Sequence, residues 1–91
     1  MIQPCKDDAL KRLRKAKGQI DGVMKMIEEG KYCMDVMTQV LALVGSVKGV
    51  MPIILESHLQ TCGADHLASN NKAKKDKFIS ELTKVINMSS R

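Results

Sequence analysis

At 91 residues the chain suits a single domain, and a domain of that size buries little apolar surface by itself. Yet 44% of it is hydrophobic, as Val, Ile, Leu and Met, with one Phe, one Tyr and no Trp. The formal charge of +5 predicts attraction to polyanions, and three cysteines, an odd number, argue against a disulfide scaffold.

The opening segment, MIQPCKDDALKRLRK, has no apolar core of a signal peptide. Residues 1–5 read as a short lead, and Pro4 precedes or opens a helix. Asp7 and Asp8 fall in the first turn, where negative charge suits the helix dipole. Leu13, Ile20, Val23, Met24 and Ile27 recur at helical spacing, which predicts an amphipathic helix over 6–29, stopped by Gly30. Five of the seven residues from Lys11 to Lys17 are basic. Lys11, Arg12, Arg14 and Lys15 project away from the Leu13/Ile20/Ile27 stripe. They form either a solvated outer face or a strip that contacts phosphates.

A second helix is expected over 31–61. From Val36 to Leu55 its apolar residues leave little polar face, so it must be covered on most sides. Pro52 removes one backbone bond and kinks or breaks a helix. One kinked helix is the favoured reading; a hairpin broken near residues 49–52 is the other. Lys48 interrupts the longest apolar run, so no membrane span is expected, and a reducing cytoplasm is the default. Residues 63–71, GADHLASNN, read as a loop, with Asn70 or Asn71 capping a third helix over 72–87. Lys72, Lys74, Lys75 and Lys77 crowd its first turns, where positive charge opposes the dipole unless it faces DNA. The fold class is therefore all-α, with three helices in one domain spanning 1–91, and oligomerisation is the simple way to bury the remaining apolar mass.

In the stretch from Tyr32 to Cys62 the chemistry-bearing residues follow the pattern C-x24-H-x3-C: Cys33, His58 and Cys62. At a spacing of four, His58 and Cys62 share a helix face and offer an imidazole and a thiolate to one ion. A helix would hold Cys33 roughly 37 Å from His58, beyond the reach of one metal. A second, antiparallel copy would bring its own Cys33 to that pair, so the spacing proposes a site shared between subunits. Two thiolates and an imidazole suit Cu(I), or Zn(II) with a fourth ligand. Cys5 and His66 are candidates for that fourth place, against plainer readings as a thiol in a frayed lead and a surface histidine in a loop. The plain reading of the cysteines is that of small hydrophobes. An enzyme needs a nucleophile, a base and an orienting group in a cleft; no third partner follows from the spacing, and no enzyme is expected.

Three segments, RLRKAKGQIDGV (12–23), YCMDVMTQV (32–40) and HLQTC (58–62), together resemble the copper-sensitive operon repressor family of bacterial transcriptional regulators. The resemblance covers about residues 6–87. It implies an all-helical protomer, an antiparallel dimer around a central four-helix bundle, and a dimer-of-dimers tetramer that binds operator DNA without a helix-turn-helix. It implies Cu(I) as inducer, held by Cys33 of one protomer with His58 and Cys62 of another, with release of the operator on metal loading and derepression of copper efflux or storage genes. Tyr32 matches a tyrosine, and Glu81 a glutamate, that stand behind the metal ligands. Arg12 and Lys17 fall at DNA-contacting positions; Arg14, Lys15, Lys74 and Lys75 extend that surface by charge. Position 49 is Gly where some members carry Arg, and Lys48 is the substitute. Relatives sense nickel or cobalt, formaldehyde, or persulfide. Nickel and cobalt sensors carry His in place of Cys62, persulfide sensors lack the middle His, and formaldehyde sensors lack the second Cys, which leaves Cu(I) preferred here. A helical interaction module with inert cysteines, binding neither metal nor DNA, is the reading from another class.

Overall fold

The computed structural model describes residues 1–89, apart from the side chains of Cys62 and Ser89. Five helices follow in order: α1 (Cys5–Glu28), α2 (Cys33–Lys48), α3 (Val50–Gln60), α4 (Cys62–Ala68) and α5 (Lys72–Ser89). They fall into two packing units, Met1–Ser57 and His58–Arg91.

In the first unit α1 packs along the second helical run. Pro4 stands just before α1, and Asp7 and Asp8 lie in its first turn. Gln3 closes that turn: its amide donates to Asp7 Oδ1 at 3.2 Å, and its carbonyl oxygen accepts the Asp7 N–H at 3.3 Å. Gly30 stops the helix as expected, with φ at 67°. The Lys31 N–H reaches back to Met26 O and the Gly30 N–H to Ile27 O, the paired bonds of a Schellman ending.

The buried stripe of α1 is Cys5, Ala9, Ala16 and Val23, and this corrects the sequence reading. Leu13, Ile20 and Ile27 are 43%, 44% and 62% exposed in the single chain. Small alanines let the two backbones approach closely, whereas the larger residues lie on the flank of the same broad face. Opposite them, Val36, Leu43, Val50 and Ser57 recur every seven residues and are among the more enclosed positions of the second run. Cys5 is 4% exposed, so the lead is anchored and not frayed. The Ile2 N–H donates to Ser57 Oγ at 3.0 Å, and Ser57 is 2% exposed.

The second run is helical from Cys33 to Gln60, 28 residues, interrupted only at Gly49. Gly49 keeps helical dihedrals (φ −63°, ψ −14°), and its N–H still bonds Gly45 O. The hairpin reading is therefore set aside. The interruption sits three residues before Pro52, whose ring crowds the preceding turn. By length and composition this run is apolar enough to cross a membrane, with mean hydropathy 1.6 and almost none of its apolar stretch buried in the single chain. The expectation that Lys48 would disqualify it was too strict, since one lysine barely lowers an average carried by so many aliphatic residues.

In the second unit, residues 63–71 depart from the expected loop. Cys62–Ala68 form α4, and only the segment between it and Lys72 is non-helical. Gly, Asp and Ser suggested a loop, but Ala64, Leu67 and Ala68 are competent helix formers, and packing of Gly63 overrides its low propensity. Asn71 caps α5 as expected: its Oδ1 accepts the Ala73 N–H at 2.9 Å and the Lys74 N–H at 3.4 Å. Phe78, 3% exposed, is the buried centre of this unit.

Candidate functional site

The basic segment of α1 does not lie wholly away from its partner. Lys11, Arg14, Lys15 and Lys17 are exposed, but the Arg12 guanidinium reaches across to Gly49. A Cβ placed on Gly49 would come within 2.8 Å of Arg12 Nη1, so only a residue without a side chain leaves that guanidinium where it is. Lys48, in the last turn of α2, is the neighbour of this contact. The first and second helices thus bring the Arg12 guanidinium against Gly49, the residue after Lys48.

Cys33 is a free, exposed thiol at the first position of α2, and Tyr32, the residue before the helix, is 69% exposed. Both are presented outward. His58 lies near the end of α3, half-buried. Its imidazole stacks on Phe78, with ring centroids 5.3 Å apart and planes 29° from parallel. His66 of α4 stacks on the same ring, at 5.8 Å and 22°. Gly63 makes room for it: a Cβ there would meet Phe78 Cζ at 2.9 Å and His58 O at 3.0 Å.

Thr61, with φ −109° and ψ −97°, separates α3 from α4, and Cys62 opens the new helix. The helix expected to carry both His58 and Cys62 is therefore interrupted between them; the side chain of Cys62 lies outside the described residues. Among the described residues no three His, Cys, Asp or Glu side chains gather to hold a metal ion. Glu81, Lys74 and Lys75 all belong to α5; Glu81 and Lys74 are exposed and Lys75 is half-exposed. Phe78 and Gly63 are the residues that sequence reasoning missed. The one signal for them was compositional: the only Phe of the chain follows a segment that holds both histidines.

Residues 5–88 match the model of a family described as metal-sensitive transcriptional repressors. The chain belongs to that family. Membership places it among transcriptional repressors and not among enzymes. Among relatives of this repressor, the copper-sensing repressor RicR of Mycobacterium tuberculosis is 46% identical over 57 residues, which span 63% of this chain and 59% of RicR. The matched stretch is thus less than two thirds of that relative's length. The copper-sensing repressor CsoR of Bacillus subtilis is 35% identical over 80 residues, 88% of this chain and 76% of that one. Two solved structures share the fold. The copper-sensing repressor CsoR with Cu(I) from Geobacillus thermodenitrificans aligns at a TM-score of 0.82 and 27% identity, covering 100% of this chain and 92% of that one. A single-residue variant of the formaldehyde-responsive regulator FrmR from Salmonella enterica serovar Typhimurium aligns at 0.73 and 25% identity, covering 96% of each.

Proposed function

We propose that this repressor is a cytoplasmic sensor of Cu(I) that binds operator DNA when metal-free and releases it when loaded. The metal would be held by Cys33 of one protomer with His58 and Cys62 of a second. The observation that carries the reading is the outward presentation of Cys33 at one end of a long helix. From Cys33 to Ser57 the chain is helical apart from Gly49, a span on the order of 35 Å. Ligands drawn from both ends of such a helix come together only when two copies lie antiparallel.

A second feature supports that pairing. Met37, Val40, Val44, Val47, Met51 and Ile54 alternate in steps of three and four, and each is 40 to 50% exposed. That is an uncovered a/d seam of the kind that packs against another helix. An antiparallel dimer around four helices, doubled to a tetramer, would cover it. Tyr32 and Glu81 would stand behind the ligands. Arg12, Arg14, Lys15, Lys17 and Lys48, with Lys74 and Lys75, would face the DNA. Two thiolates with one imidazole favour Cu(I) over harder ions, and Cys62 argues against a formaldehyde sensor, which lacks that second thiol.

The test is an anaerobic titration of the reduced protein with Cu(I), alone and on a DNA fragment from upstream of its own gene. One tightly bound Cu(I) per chain and a fall in DNA affinity on loading are expected. Cu(I) affinity unchanged in the Cys33→Ala, Cys62→Ala double variant would refute the site.

A further inference from the structure

Phe78 belongs to no ligand set and to no basic surface, yet it is the most enclosed large side chain of its unit. Its ring carries His58 on α3 and His66 on α4, and Gly63 closes against its Cζ edge. A phenyl group is rigid, and this one is held on three sides. Interiors packed this way transmit a displacement and do not absorb it. Lys75 and Lys74 precede Phe78 by three and four residues on α5, one helical turn or about 5 Å. Asn71 ties the start of that helix, so its first turns follow Phe78 as one body.

We infer that Phe78 is a positioning residue which links the imidazole of His58 to the lysines of α5. The inference rests on the proposed role of His58 as a ligand and gives that site a route to DNA. A metal that draws the His58 ring out of its stack removes one wall of the Phe78 pocket, and the shift passes into α5 and its Lys74 and Lys75. The coupling is a free energy shared between metal and DNA, so it is measurable from either side.

Two variants test it by different means. Phe78→Leu keeps an apolar side chain but removes the stack. Gly63→Ala keeps every ring but sets a methyl group 2.9 Å from the phenyl edge and 3.0 Å from the His58 carbonyl, so these neighbours must shift. Each is titrated with Cu(I), with the DNA fragment from upstream of its own gene, and with both. Both variants should keep one Cu(I) per chain, while the factor by which copper weakens DNA binding falls at least tenfold. In the metal-free protein the His58 Cε1 proton, followed by NMR, should shift as it loses the ring current of Phe78. A coupling factor unchanged in either folded variant, or a His58 resonance unmoved in Phe78→Leu, would overturn the inference. Loss of Cu(I) binding in both would overturn it too, because the ring would then hold the ligand and not link it. Wild-type protein whose DNA affinity ignores copper would instead refute the functional reading, a distinct result.

Discussion

His58 is constrained before any metal arrives. Its ring is held against Phe78, whereas Cys33 stands free at a helix start. In the proposed site each side chain is a donor, and since removal of a mere supporting partner costs 10- to 100-fold in metal affinity, removal of a ligand should cost at least about 100-fold. Cys33→Ala and His58→Ala should each show this in competition with a Cu(I) chelator. Affinity should also fall as pH is lowered, because thiols and imidazole must shed protons to bind. Arg12→Ala should weaken DNA binding and reduce its salt slope by about 1 for each phosphate that the guanidinium neutralises; an unchanged slope would remove Arg12 from the DNA surface. The three proposed donors could be nominated from the sequence because thiol and imidazole chemistry is local to each residue. Phe78 was not, since it lies twenty residues from His58 and only folding sets the rings together.

Among the elements, Gly30 has a backbone role that a side chain would disturb. At φ 67° it occupies the left-handed region, and Gly30→Ala should destabilise the protein by roughly 1–2 kcal/mol, read from the denaturant midpoint. The end of α1 was legible for this reason: a glycine after a periodic stretch is a stop with a mechanism. The long second helix was legible from its apolar run, and the interruption near Pro52 from the ring's clash. The course of α4 was not. The Gly, Asp and Ser of residues 63–71 pointed to a loop, and the packing of Gly63 under Phe78 that favours a helix there is a tertiary fact. The stripe of α1 was misjudged for a related reason. Size alone picked Leu13 and Ile20, but the closest approach to a second helix favours Ala9 and Ala16.

At the scale of the whole molecule, the uncovered seam from Met37 to Ile54 predicts an obligate assembly. Val44→Asp, at its middle, should place a charge where helices meet and shift the protein to monomers in sedimentation. Pairing of a different kind is tested by mixing. Cys33→Ala protein and a His58→Ala, Cys62→Ala double variant each lack both sites. After subunit exchange, about half the dimers should be mixed, each with one whole site of two, as twofold symmetry requires. Cu(I) capacity should return to roughly a quarter of wild type. A site built within one chain would give no recovery.

The contact between Arg12 and Gly49 bears on how such a surface can change by descent. A residue with a side chain at position 49 makes the flexible end of Arg12 move aside, since its tip stands 2.8 Å from where that Cβ would be. An arginine gained at 49 would therefore shift the guanidinium of position 12 as it added its own charge. The two positions form an epistatic pair, in which the effect of one substitution depends on which residue the other already holds. A double-mutant cycle across the two sites should therefore show non-additive DNA affinities.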